Sequence, residues 1–268
     1  MKIIAINILT VIIILIPSCD ILDSSSSSSK TISPLDSKIL FKAVESYEPL
    51  DAISIPQIFI EMTTEKIYGC YNYRIVTSWK IEDKSIIINI IGIYKPHNCL
   101  MALGPANGRV KLGKISGNFE IKFKQSGFCD SYNLLISDSL IVLDGEETPN
   151  TAPLFYSSWR FPEKSFVYLC GTTLSDTTIC SDFLDTLKTV IPLTEFGFPD
   201  FAEIPYPQAS QGHYYDADAR YFYYESEEDF DEIQEVLRSY KYDHFPDNNG
   251  IGLSIINWMN ERIYSWLL

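Results

Sequence analysis

Between residues 37 and 144 apolar and polar side chains alternate in short runs separated by turn residues. A period of two marks strands with one buried face. Residues 38–47 predict a first strand with Ile39, Phe41 and Ala43 on one side, although a short helix fits the same segment. Residues 58–62, 68–79 and 85–94 predict three more. From Ile86 to Ile91 only Asn89 is polar, which predicts a central strand covered on both faces. Glu82-Asp83-Lys84 and Gly104-Pro105-Ala106-Asn107-Gly108 read as turns, and Lys95-Pro96-His97-Asn98 as a break. Residues 110–123 predict strand–turn–strand, with Phe119, Ile121 and Phe123 alternating after Gly117. Residues 132–136 and 140–143 complete the set. Some seven short strands at this spacing predict a β-sandwich over residues 37–147.

Past a polar break at 145–153, with prolines at 149 and 153, the pattern is mixed, so a domain boundary is expected there. Residues 165–170 predict a strand. Ser181 is a candidate cap for a helix to Ile191, with Phe183, Leu187 and Val190 on one side and Pro192 as the stop. A long proline-rich loop follows, then a strand at 220–225. The clearest helix starts at Ser226, with Asp229 three residues on as in a capping box. Phe230, Ile233, Val236, Leu237 and Tyr240 form its apolar stripe, and its first-turn acids complement the helix dipole. They lack the spacing of a calcium loop. Ile251, Leu253 and Ile255 predict a strand that turns at 259–262 into a last strand, in preference to a terminal helix. The fold class is therefore mainly β plus α+β: an N-terminal β-sandwich, then a small α+β domain at 155–268.

Ahead of both lies an apolar run from Ile3 to Ile16, broken only by Asn7 and Thr10 and preceded by Lys2. It is shorter than the about 20 residues that span a bilayer and suits a signal-peptide core. An uncleaved anchor or a buried helix is the alternative. Ile16-Pro17-Ser18-Cys19 resembles the lipobox of bacterial lipoproteins. Pro17 is unusual within it. The resemblance implies cleavage of residues 1–18, acylation of Cys19, and attachment to a membrane of the bacterial cell envelope through that lipid. Asp20 fits the rules for either leaflet. Residues 19–36, with six serines from Ser24 to Ser29, then read as a flexible linker. A second resemblance is weaker: residues 110–123 are similar to the corner motif of immunoglobulin-like sandwiches, with Phe119 where the motif has tyrosine. Phenylalanine cannot make the corner hydrogen bond.

The 268-residue chain carries a net charge of −14, and cleavage would take it to −15 by removing Lys2 and no acid. Such a surface repels phosphate backbones, so nucleic acid is not an expected partner. Besides Cys19 there are five cysteines, an odd number. In an oxidising compartment Cys170 and Cys180 are close enough to clip a loop, but buried free thiols fit equally well. No spacing suits zinc, and no metal or cofactor is expected. No serine elbow, phosphate loop or dinucleotide motif is present. The chain is therefore read as a non-enzymatic binding or structural lipoprotein. Tyr214, Tyr215, Tyr221 and Tyr223 are its candidate contacts for a protein or glycan, since tyrosines beside Asp and Asn suit sugar stacking and interfaces. The alternative is an exported hydrolase using His213, Asp216, Asp218 and Glu225.

Overall fold

The computed structural model describes residues 32–125, 127–173, 178–209, 215–247 and 250–268. The signal, Cys19 and the serine tract lie outside them. Residues 31–268 form one compact unit containing two hydrophobic cores.

The first core is enclosed by an eleven-stranded sheet: β1 (Ile32–Ser33), β2 (Ile39–Ser46), β3 (Gln57–Tyr68), β4 (Arg74–Glu82), β5 (Ser85–Tyr94), β6 (Gly104–Gly113), β7 (Gly117–Gln125), β8 (Phe128–Ile136), β9 (Leu140–Asp144), β10 (Thr151–Pro153) and β11 (Ser157–Trp159). The order is β10-β2-β3-β6-β4-β5-β7-β8-β9-β11, with β1 added on β5. The sheet curls until β2 approaches β9 and β11, so the two sides of the expected sandwich belong to one sheet. Ile39, Ile60, Ile86, Ile88, Ile121 and Phe123 are among its wholly buried side chains. β5 is central, between β4 and β7, as its lack of a polar face predicted. Only Ile91 of its isoleucines is exposed.

Three local expectations are corrected. Gly104-Pro105-Ala106-Asn107-Gly108 is not a turn but the start of β6, where Tyr68 pairs with Gly104 and Thr63 with Asn107. A bulge in β3 between these pairs lets the Thr64 hydroxyl take the Ala106 amide, which offsets the irregular ladder. Residues 68–79 are not one strand: Tyr68 ends β3, and β4 begins at Arg74. Strands β10 and β11, on and beyond the polar break, rejoin the first sheet against β2 and β9. The break is fastened there by Tyr132, whose buried hydroxyl donates to the Thr151 carbonyl at 2.9 Å. A tyrosine whose hydroxyl is tied to a backbone carbonyl is thus present, on β8 rather than at Phe119, with the acceptor at the start of β10.

The second core lies between two helices and a six-stranded sheet: β12 (Ser165–Thr172), β13 (Thr194–Phe196), β14 (Tyr215–Asp216), β15 (Arg220–Tyr223), β16 (Ile251–Asn257) and β17 (Arg262–Tyr264). Helix α1 (Thr178–Val190) begins before the expected cap: Ser181 sits inside its first turn and donates to the Thr178 carbonyl. Phe183, Leu184 and Leu187 are buried, whereas Val190 is exposed. Helix α2 (Glu227–His244) carries the predicted capping box, with Ser226 and Asp229 each accepting the other's backbone N–H. The terminal segment is the expected hairpin, β16–β17, ending in a 3-10 turn. The mainly β plus α+β class therefore describes the chain.

The two layers are stitched by buried polar contacts. The Tyr47 hydroxyl donates to the Trp258 carbonyl at 2.8 Å. Asn260 donates to the carbonyls of Leu50 and Ala52. Glu45, whose side chain is 3% exposed, accepts from Arg160 and from the Phe161 amide, each at 2.8 Å.

Candidate functional site

The tyrosine-rich segment distributes its rings between core and surface. Tyr214 lies outside the described residues, as does His213. Tyr215 and Asp216 form β14 opposite Thr172 and Gly171. Tyr221 is buried, with its hydroxyl on Gln208 and its ring against Phe198. Tyr223, one of the exposed aromatics, stacks on Phe196 at 4.3 Å. Two residues apart on one strand, they share a face: both rings lie against Phe196, with Tyr221 also covered by Phe198 and Tyr206, and Tyr223 left more exposed. Burial of the Tyr221 phenol raises its pKa, so it remains a neutral hydrogen-bonding group. Asp218 and Glu225 are exposed beyond opposite ends of β15. The four residues of that strand alone span roughly 10–13 Å, more than the about 5–9.5 Å of paired glycosidase carboxylates.

Two disulfides are formed among the described residues. Cys170 on β12 is joined to Cys180 on α1, with 5.8 Å between their Cα atoms, and clamps the helix to the sheet inside the second core. Cys70 is joined to Cys99 across 29 residues of sequence. Cys129 is free and exposed.

The Cys70–Cys99 bridge stands at one end of the curled sheet, where β3 and β5 finish and β4 and β6 begin. It ties the turn at 69–73 to the loop at 95–103. The Tyr71 amide donates to the Leu100 carbonyl, and Asn72 bonds both the Asn98 carbonyl and the Leu100 amide. A side chain at Gly104 would strike the Tyr71 ring at 2.8 Å, so glycine is what allows the turn to close on β6. The loop thus held is apolar and faces solvent: Leu100 is 57%, Met101 97% and Leu103 77% exposed.

A cleft of about 710 Å³ runs from this loop along β3, β4 and β6, past Tyr71, Arg74, Met62 and Glu61 to Leu50 and Arg109. The Arg109 guanidinium carbon lies over the Phe59 ring, 3.6 Å from its centre, and Nη1 donates to the Tyr47 carbonyl at 2.8 Å. Its Nε is 3.2 Å from Glu61. Its Nη2 is buried and has no hydrogen-bond partner among the described residues. Burial lowers the guanidinium pKa, and Glu61 opposes the shift, so the charge is retained. What the partly exposed Arg109 side chain brings to the cleft is its positive charge beside an apolar wall.

Smaller spaces of about 160 and 490 Å³ flank Glu45, on either side of the seam between the layers. No group of acidic, histidine and cysteine side chains suited to a metal occurs among the described residues.

Sequence reasoning did not find the end loop or Arg109. The loop did leave a signal: Leu100-Met101-Ala102-Leu103 is an apolar run between turn residues, without the alternation of a strand. The bridge that exposes it joins cysteines too far apart to pair by inspection. Comparison of the chain with protein-family models, with curated proteins and with solved structures finds no match to any of them.

Proposed function

We propose that this chain is an extracytoplasmic lipoprotein of the bacterial envelope, tethered through an acylated Cys19, whose folded body is a binding module for a protein or glycan. The observation that carries the reading is the N-terminal pattern: an apolar run of signal-peptide length, Ser18-Cys19 at its end, and a serine tract leading to a folded body. The Cys70–Cys99 and Cys170–Cys180 bridges suit an exported chain, because structural disulfides persist in oxidising compartments. The cleft beside Arg109 is the place for a ligand: concave, with an apolar wall and few polar groups.

Mass spectrometry of membrane fractions tests the anchor. The native chain should yield an N-terminal peptide that begins at an acylated Cys19, and Cys19→Ala should abolish it. An unacylated chain that keeps Met1 in the cytosol would overturn the proposal. For the binding role, the purified mature chain is tested on a glycan array and in pull-downs. Arg109→Ala should lose a retained partner while the chain stays anchored.

A further inference from the structure

Three features of the curled sheet converge at one end. The first is the solvent-facing loop of Leu100, Met101 and Leu103, held out by the Cys70–Cys99 bridge. The second is the point where the chain enters the body. Strand β1 runs antiparallel to β5 with Ile32 opposite Tyr94, so the residues before Ile32 leave from the end where β5 runs into the 95–103 loop. β1 is seated closely: a side chain at Gly92, whose φ is +153°, would meet the Ser33 carbonyl oxygen at 2.3 Å. The third is charge. In a chain with 35 acids there is none between Glu65 and Glu82 and none between Asp83 and Glu120, while Lys66, Arg74, Lys95 and His97 lie in these stretches. The turns at 69–73 and 95–103 belong to them; of the acids near this end, Asp36 is paired with Lys66 and Glu65 is exposed near the end of β3, before Tyr68.

We infer that this end of the body is its membrane-facing surface, and that Leu100, Met101 and Leu103 insert into the lipid headgroup–acyl boundary. The inference rests on the lipid-anchor reading, which sets the occupant. Residues 20–31 would connect Cys19 to β1, and a flexible tract of that length spans on average about 20 Å. An anchor attached there would bring this end of the body, with its apolar loop, into bilayer range. Exposed aliphatic side chains gain by burial at that boundary, Tyr71 suits its edge, and Lys95 and Arg74 meet anionic headgroups. The acidic remainder of the molecule is repelled by the same lipids. This orientation turns the cleft beside Arg109 toward ligands close to the bilayer.

The test uses the full chain reconstituted in phosphatidylethanolamine–phosphatidylglycerol vesicles whose acyl chains carry bromine, a contact quencher of tryptophan. Met101→Trp replaces a side chain with almost no contacts, and Tyr242→Trp, on the solvent-facing side of α2, is the control. The tryptophan added at position 101 should lose roughly half of its emission, and the one at position 242 almost none, as shallow insertion of one end requires. Equal or absent quenching at the two positions would overturn the inference; a loop occupied by protein or left in water gives that result. Circular dichroism checks that both variants fold. The mass spectrum of the same sample reports acylation separately, so quenching without acylation defeats the anchor and acylation without quenching defeats the insertion.

Discussion

The two cores of this molecule are built from different side chains, and the difference follows from what encloses them. The curled sheet wraps around its own interior, which is dominated by isoleucine: Ile39, Ile58, Ile60, Ile86, Ile88 and Ile121 are all at most 1% exposed. β-branched side chains fit a pleated surface and lose little freedom there. The second core must span the gap between a sheet and two helices, and aromatic rings fill it: Phe166, Tyr168, Phe183, Phe222, Phe230 and Phe245. Its tyrosines also carry hydroxyls to specific acceptors, Tyr168 to the Cys180 carbonyl and Tyr206 to Ser165. One core is held by shape repeated along strands, the other by a few large pieces.

That contrast sets the largest expected effect. Phe166→Ala in the aromatic layer should cost about 3–5 kcal/mol, against about 2–4 for Ile88→Ala in the isoleucine core, because the ring leaves the larger cavity. Urea denaturation followed by tryptophan fluorescence would measure both. Each variant should still unfold in a single transition, since the seam through Tyr47, Glu45 and Asn260 couples the cores. Two transitions for Phe166→Ala would show that the layers are energetically separate.

Glu45→Ala acts on the seam itself. It removes a buried carboxylate, stranding the Phe161 amide and a largely covered Arg160 guanidinium. A loss of about 3 kcal/mol is expected, because the unpaired partner keeps its desolvation cost. Circular dichroism in the far and near ultraviolet should now give different midpoints, as the layers lose their link.

What the sequence displayed and what it hid divide along the same line. Helix α2 was legible because its signals are local: Ser226, Asp229 and the stripe from Phe230 to Tyr240 all act within a few turns. The unbroken apolar run of β5 and the alternation on β7 were legible for the same reason. The start of β6 was hidden, since two glycines and a proline there are recruited by pairing with β3, some forty residues earlier. Nor did the rings at 221 and 223 declare which would be buried; that is decided by β12 and β13 on either side. The end loop escaped because exposure of an apolar run depends on the Cys70–Cys99 bridge, a contact between distant residues.

A smaller effect probes the place where the polar break joins the first sheet. Tyr132→Phe keeps the ring against Phe41 but removes the hydroxyl that meets Thr151. The loss should be about 1–1.5 kcal/mol, the usual net value of one buried hydrogen bond. Hydrogen exchange should rise at 148–153 with β12 unaffected, which separates attachment of the break from stability of the second layer.

The smallest effect is electrostatic and lies in the aromatic layer alone. Glu195 on β13 accepts two hydrogen bonds from Arg220, at 2.7 and 2.6 Å, and one from Lys188. The Arg220 bonds hold its carboxyl below the usual value of 4.5, with partial burial opposing them and Lys188 reinforcing them. In the unfolded chain the group takes up a proton as pH drops through about 4.5; in the fold it remains ionised to lower pH. Its contribution is therefore complete above about pH 5 and disappears as pH falls through the lowered value. The side chain is 40% exposed, so solvent screening leaves roughly 0.2–0.5 kcal/mol. Glu195→Gln should lose that much at pH 7, with the difference from the parent shrinking as acid is added. Denaturation midpoints of the two proteins at pH 7, 5, 4 and 3 would show it; a constant gap across that series would mean that Glu195 acts through packing on β13 rather than through its charge.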